Sequence, residues 1–194
     1  MRRWWDTDGL CDIEQAYFDA VRHASRLLDV GAGDLRVMHK LQRAGYAGVY
    51  HTQDIGGEGQ YTFTDLSEVR DTYQAILCLD VIEHLPLREG LTMLQRLVSL
   101  LEAGGTLVVQ TANAYYIPHP LAWDMTHLHV YNLTDLWAHL TCEGLDVTGY
   151  RVVFRDPNRS RVADVKFAIT AYVKTKILGC DFANNIALIV RKPQ

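Results

Sequence analysis

The sequence predicts an α/β fold built on one largely parallel sheet covered by helices on both faces. Three observations carry this. Short apolar runs alternate with amphipathic stretches almost from end to end. The run Ala75 to Val81 (AILCLDV) is apolar with little alternation, as in a central strand buried on both faces. A second buried run, Leu27-Leu28-Asp29-Val30, feeds straight into Gly31-Ala32-Gly33 and a helical pattern. At 194 residues, with no linker or repeat, the chain is expected to form one domain over 1–194.

The elements follow in order. Asp12 to His23 places Ile13, Tyr17, Ala20 and Val21 on one helical face. Arg26 to Val30 is a strand. Asp34 to Ala44 carries Leu35, Met38 and Leu41 at helical spacing and stops at Gly45. Gly48 to Gln53 reads as a second strand and Tyr61 to Thr64 as a third. Only six residues, Ile55 to Gln60, join those two, whereas a parallel crossover needs about ten or more. Either the usual connecting helix is trimmed away or the third strand is an irregular edge. After the central strand, Leu87 to Glu102 repeats leucine at 91, 94, 97 and 101 and closes at Gly104-Gly105. Thr106 to Gln110 is a strand. Thr134 can cap a helix bearing Leu136, Trp137 and Leu140. Strands at Leu145 to Phe154 and Ile186 to Arg191 flank a last helix, Val162 to Leu178.

Composition excludes several classes. Hydrophobic residues make up 48% and charged residues 22%, which is ordinary for a globular core and excludes a disordered chain or a coiled coil. The net charge of −4 gives no global case for nucleic acid or an anionic membrane. Apolar runs break within about eight residues, far short of the roughly 20 that span a bilayer. The start, MRRWWDTDG, lacks the apolar stretch of a secretion signal. Cys11, Cys78, Cys142 and Cys180 lie far apart with no CxxC, against both a zinc ribbon and a disulfide framework. A cytoplasmic setting is expected.

The glycine loop is the sharpest local signal. Glycines between a strand and a helix let the backbone approach a ligand, and the helix start favours an anionic group. A nicotinamide dinucleotide site would want GxGxxG, yet position 36 is Arg. An acid inside the first strand, Asp29, suits a ligand with a cationic amino group.

Taken together, these motifs resemble the class I S-adenosylmethionine-dependent methyltransferases, in their small-molecule branch. LLDVGAGDL is similar to the family's first motif, with Leu35 where its third glycine stands. YQAILCLDVIEHLP resembles the fourth-strand motif, LEAGGTLVVQTAN the fifth-strand segment, and DMTHLHVYNLTDLWAHLTCEGLDV the TH-aromatic-helix-Gly segment. The resemblance implies a Rossmann-like sheet with an antiparallel last strand and S-adenosyl-L-methionine as cofactor. It implies Asp29, Gly31 and Gly33 at the cofactor's amino-acid end and Asp54 at the ribose, with Gln53 as the alternative. It also implies Asp65 at the adenine beside Phe63 or Leu66, and Leu79 and Asp80 at the end of the fourth-strand motif. The expected reaction is methyl transfer to a small-molecule acceptor, at oxygen. A fold-retaining binding module that transfers nothing, and a methyltransferase acting on an RNA end or a protein, stand as alternatives.

Four of the eight histidines fall between 119 and 139, in the segment that leaves the fifth-strand motif. His119, His129 and His139 read as packing residues. His84 and His127 are candidate general bases, because an oxygen or nitrogen acceptor must lose a proton as it attacks. Asp124 is expected to orient His127. Asp80, Glu83, His84 and His127 are also similar to an ExxEH…H set that holds a divalent ion in methyltransferases acting on small-RNA ends, with Asp80 one methylene shorter than the family's first Glu. Residues 155–185 form a long insert between the last two strands with six basic against three acidic residues. This insert is expected to be a substrate lid with a taste for anionic groups, with Val162, Val165, Ile169 and Tyr172 turned inward.

Overall fold

A computed structural model of the protein describes residues 9–56, 60–116, 119–122, 124–153, 160–177, 179, 181 and 183–194. The helices are α1 (Asp12–Val21), α2 (Arg36–Arg43), α3 (Leu87–Leu100), α4 (Leu133–Cys142) and α5 (Arg161–Tyr172). The strands are β1 (Arg26–Val30), β2 (Val49–Gln53), β3 (Tyr73–Leu79), β4 (Leu101–Ala112), β5 (Asp146–Val152) and β6 (Asn185–Arg191). They form one sheet in the order β2-β1-β3-β4-β6-β5. The first four run parallel, and β6 lies antiparallel between β4 and β5. This is the mostly parallel, Rossmann-like sheet that the sequence predicts. Among the described residues no helix is long and apolar enough to cross a membrane.

Strand pleat divides the core in two. Leu28, Val30, Ile76, Cys78, Leu107 and Val109 face Leu94 and Leu97 of α3 and Leu136 and Leu140 of α4. Leu27, Ala75, Leu77 and Val108 point the other way, onto Tyr17, Phe18 and Val21 of α1 and Leu41 of α2. Residues 75–78 of β3 are fully buried, as a strand covered on both faces requires. Register aligns Val30 with Gln53 and Cys78, so β1, β2 and β3 end together. Val152 pairs with Asn185, which brings both ends of the long insert to the same carboxyl edge.

The third strand does not form. Tyr61 to Thr64 is reduced to a single bridge between Gln53 and Phe63. Thr52 and Thr62 each take the other's backbone N–H on the side-chain oxygen, both at 3.1 Å, in place of a ladder. The six-residue link leaves no chain for a crossover. The cap of α4 also differs. Asn132, not Thr134, accepts the N–H of Asp135 at 2.8 Å, and α4 starts one residue before Thr134.

The inward stripe predicted for α5 faces outward. Val162, Val165, Ile169 and Tyr172 are 67%, 58%, 59% and 63% exposed. Ala163, Phe167 and Ala171, four residues apart, are the half-buried face. Both sets recur at helical spacing, so spacing alone does not choose between them. After α5 the chain widens into a π turn at Val173–Ile177. Residues 155–159, 178, 180 and 182 of the expected lid lie outside the described residues.

Candidate active site

Asp29 sits at the penultimate position of β1, 2% exposed. Tyr50 of β2 donates its hydroxyl to Asp29 Oδ2 at 2.7 Å. Burial pushes the carboxyl up to about 7, against the pull of that hydrogen bond, while the charge of Asp54 adds to the rise. Gly31 and Gly33 both have positive φ, 73° and 49°. A Cβ on Gly31 would run into the Val81 side chain, whereas one on Gly33 would meet nothing nearer than 3.9 Å. Leu35 carries φ 62° at the entry to α2, so a leucine holds the left-handed turn for which glycine is suited.

Asp54 leaves β2 and folds back on this loop. Its Oδ2 takes the Gly33 N–H at 2.8 Å and its Oδ1 that of Gly56 at 3.1 Å. Gln53, the alternative, is buried and uses its carbonyl for the N–H groups of Gly31 and Ala32. Asp65 is exposed and caps the short 3-10 turn Leu66–Glu68 through Ser67 N–H at 2.6 Å. Those hydrogen bonds hold its carboxyl below the usual range.

Asp80 follows Leu79 at the end of β3 with φ 56°. It accepts from Gln110 Nε2 at 2.8 Å and Asn185 Nδ2 at 2.7 Å. Gln110 in turn accepts the Tyr17 hydroxyl at 2.8 Å. Asp80 thus ties α1, β3, β4 and β6 together. Although it opens onto a cleft, it lies amid protein that raises its carboxyl, opposed by hydrogen bonding and by nearby cationic groups. That cleft is a cavity of about 780 Å³ whose lining includes Asp29, Gly31, Gly33, Leu79 and Asp80, together with α1 and the end of β5. Asp54, Asp65, His84 and His127 are not among its lining residues.

A second cluster stands beyond Asp80. Glu83 is 2% exposed and takes the Thr111 hydroxyl at 2.8 Å. Burial first, and the charge of Asp80 second, push its carboxyl up to about 8. Its backbone carbonyl accepts the N–H groups of Leu128 and His129 at 2.8 and 3.1 Å, pinning the histidine segment to the short turn after β3. His84 Nδ1 lies 3.0 Å from Thr126 Oγ1 and 3.2 Å from the Thr126 carbonyl. Thr126 Oγ1 donates to Asp124 Oδ1 at 2.6 Å. His127 packs edge-on against His84 with ring centroids 5.0 Å apart, and its Nδ1 is buried without a hydrogen-bond partner.

The expected Asp124–His127 hydrogen bond is absent: the nearest approach is 3.8 Å, too long for one. Asp124 spends Oδ1 on Thr126 and so reaches His84 instead. Glu83, His84 and His127 offer ligand atoms within 4.8 Å of one another; Asp80 is not part of that group. His129 stacks edge-on against Tyr131 at 4.8 Å, and His139 lies half-buried on α4, 3.7 Å from Glu143, in keeping with packing roles. Sequence reasoning missed Tyr17, Tyr50, Gln110 and Thr126. Each occupies an ordinary place in a helix, strand or loop, and only the sheet register brings it to an acid or histidine.

A glycine-turned loop after β1, an acid at the end of β2 and a parallel sheet closed by an antiparallel strand define a nucleoside-ligand α/β enzyme fold. A methyltransferase-domain family model matches residues 5–149, and the chain belongs to that family. No curated protein sequence matches it. Among solved structures it is similar to a SAM-dependent methyltransferase from Archaeoglobus fulgidus. That match has 16% identity and a TM-score of 0.67, covering 92% of this chain and 90% of that one. It is also similar to magnesium protoporphyrin IX methyltransferase from Synechocystis with bound SAM, at 18% identity, TM-score 0.58, covering 98% and 88%. A plantazolicin methyltransferase in complex with SAH matches at 12% identity, TM-score 0.61, covering 93% and 81%. The fold is that of the class I SAM-dependent methyltransferases.

Proposed function

We propose that this enzyme transfers the methyl group of S-adenosylmethionine to an oxygen of a small-molecule acceptor, with His84 as the base. The observation that carries the reading is the Asp124–Thr126–His84 chain. Because Thr126 gives its hydroxyl proton to Asp124, that oxygen can only accept from His84, which puts the ring proton on Nδ1. Nε2 is then left with its lone pair. A base so oriented is worth roughly 10²–10⁴ in rate.

The cofactor, when bound, supplies a methyl group on a positively charged sulfur. The donor set suits it. Asp29 offers a carboxylate to its amino group, Gly33 lets the backbone approach, and Asp54 retains lone pairs for the ribose hydroxyls. Asp65 and the Phe63 ring are available to the adenine. The insert at 155–185 shapes the acceptor entrance through Asp181, which holds the cavity-lining Arg151 at 3.0 Å. Among the described residues α5 contributes nothing to the cavity wall.

His84→Ala should abolish most turnover and leave S-adenosylhomocysteine affinity unchanged; an unchanged rate would remove His84 as the base. A second reading has a divalent ion held by Glu83, His84 and His127. Two observations favour it, the mutual approach of three ligand atoms and the unpartnered, buried His127 Nδ1. One carboxylate and two imidazoles suit Mn, Fe or Zn.

A further inference from the structure

No lysine or arginine occurs between Arg96 and Arg151, so the histidine segment offers an acceptor no permanent positive charge. It offers apolar surface instead. Met125, between Asp124 and Thr126 of the His84 chain, is 95% exposed, and Leu128 is 60% exposed. Leu87, three residues past His84, is also exposed. One exposed leucine is ordinary, but three such side chains beside one histidine make a patch. The backbone donors around it are spent. Leu128 and His129 give their N–H groups to Glu83, His127 gives its own to the Asp124 carbonyl, and Thr126 to the Asp124 carboxylate.

The patch continues into a second cavity of about 410 Å³ between the first two turns of α3 and of α4. Leu87 and Leu91, one turn apart on α3, give it apolar walls together with Val130 and Leu136. His129 lines it too, and its N–H on the Glu83 carbonyl puts the mouth beside His84. Asn132 and Asp135 are spent on each other, with Nδ2 on Oδ2 at 2.6 Å and Oδ1 taking the Asp135 N–H at 2.8 Å. The Tyr131 hydroxyl and His139 Nε2 are shut off from solvent. The cleft therefore favours hydrocarbon over charge.

We propose that the acceptor is an uncharged amphiphile whose hydroxyl meets His84 and whose apolar tail runs over Leu128 and Leu87 into the cleft between α3 and α4. The proposal rests on the methyl-transfer reading above and names its substrate class. The acceptor oxygen bonds the methyl carbon as that carbon's bond to sulfur breaks, and the hydroxyl proton passes to His84 Nε2. A tail suits these surfaces better than a macromolecule does. A peptide seeks main-chain donors, which are spent here, and a nucleic acid seeks cations. A protein partner covers about 20–30 residues a side, far more than this patch holds.

The experiment titrates the full-length protein, loaded with S-adenosylhomocysteine, with 4-alkylphenols from phenol to 4-octylphenol by calorimetry. Affinity should rise about two- to fourfold per added methylene until the cleft is filled. Leu87→Gln combined with Leu128→Gln should bring the long phenols down to the affinity of phenol. Both residues are exposed, so the melting curve should stay where it is. Val49→Gln, at a comparably exposed site on the far end of β2, should keep the rise. An affinity that ignores chain length, or a rise unchanged in the double variant, overturns the proposal. A wild-type dimer that the double variant splits would make the patch a contact between copies and overturn it as well. Transfer of labelled methyl to the phenols is followed alongside. Tail-dependent affinity without transfer supports the tail site and counts against transfer to oxygen. A wild type that takes up no S-adenosylhomocysteine fails the methyl-transfer reading and the proposal with it.

Discussion

Tyr50 holds Asp29 from the neighbouring strand, hydroxyl to carboxylate at 2.7 Å, so the acid that faces the cavity is governed by a residue outside the glycine loop. Because burial raises the Asp29 carboxyl from 3.8 to about 7, the folded chain binds more protons than the unfolded chain between those values. Stability contributed by this group is therefore fully present below about pH 4 and falls, by on the order of a few kcal/mol, as pH rises to about 7. Asp29→Asn should flatten that part of the urea-midpoint profile against pH. If the amine of S-adenosylhomocysteine needs ionised Asp29, affinity should climb up to tenfold per unit from pH 5.5 to 7 and then level off. A flat affinity profile would separate Asp29 from the amine.

Leu35 stores strain that can be measured. Its φ of 62° costs a side-chain-bearing residue roughly 1–2 kcal/mol, partly offset by the packing of a half-buried leucine. Leu35→Val, branched at Cβ, should unfold at distinctly lower urea than Leu35→Gly. Equal midpoints would mean that the turn relaxes around either residue.

Thr126 has no chemistry of its own, which makes it a clean probe. Thr126→Val removes the link between His84 and Asp124 and should lower kcat about tenfold or more without moving S-adenosylhomocysteine affinity. Thr126→Ser should restore the rate. The rate profile against pH should shift in the valine variant alone, because only there is His84 cut off from the Asp124 carboxylate and left with the Thr126 carbonyl. Identical profiles would reduce Thr126 to a packing residue.

Metal addition distinguishes the two readings of the histidine cluster. If Glu83, His84 and His127 hold an ion, Mn or Zn should raise the melting temperature and a chelator should lower turnover. Both effects should vanish in Glu83→Gln. Full activity after chelation would leave His84 free to act as a base.

Legibility in the sequence followed contact order. Asp29, Gly31 and Gly33 are contiguous, and a buried strand running into glycines has few other uses. The central strand was plain because Ala75 to Cys78 lacks alternation and is buried on both faces. The third strand was legible as a doubt, since six residues cannot carry a crossover. What escaped were partners set by register and rotation. Tyr50 is twenty-one residues from Asp29, and Gln110 thirty from Asp80. Asp124 and His127 share one loop, yet the folded loop spends the carboxylate on Thr126 and, through it, on His84, forty-two residues from Thr126. Val162, Val165, Ile169 and Tyr172 share one helical face as fully as Ala163, Phe167 and Ala171 do, so periodicity alone cannot say which face of α5 is the less exposed.

The bridge at Phe63 has a consequence for motion. With only the Gln53–Phe63 bridge and the Thr52–Thr62 pair on that side, β2 is the sheet's outer strand, and outer strands open at lower free energy than central ones. Each local opening of residues 49–53 carries Tyr50 away from Asp29 and leaves the acid without its hydroxyl donor. Fraying of this edge and occupancy of the cavity thus oppose each other. Amide hydrogen exchange in β2 should slow on cofactor binding far more than in β3, where the chain is already locked, making the shortened edge the part of the sheet that reports ligand.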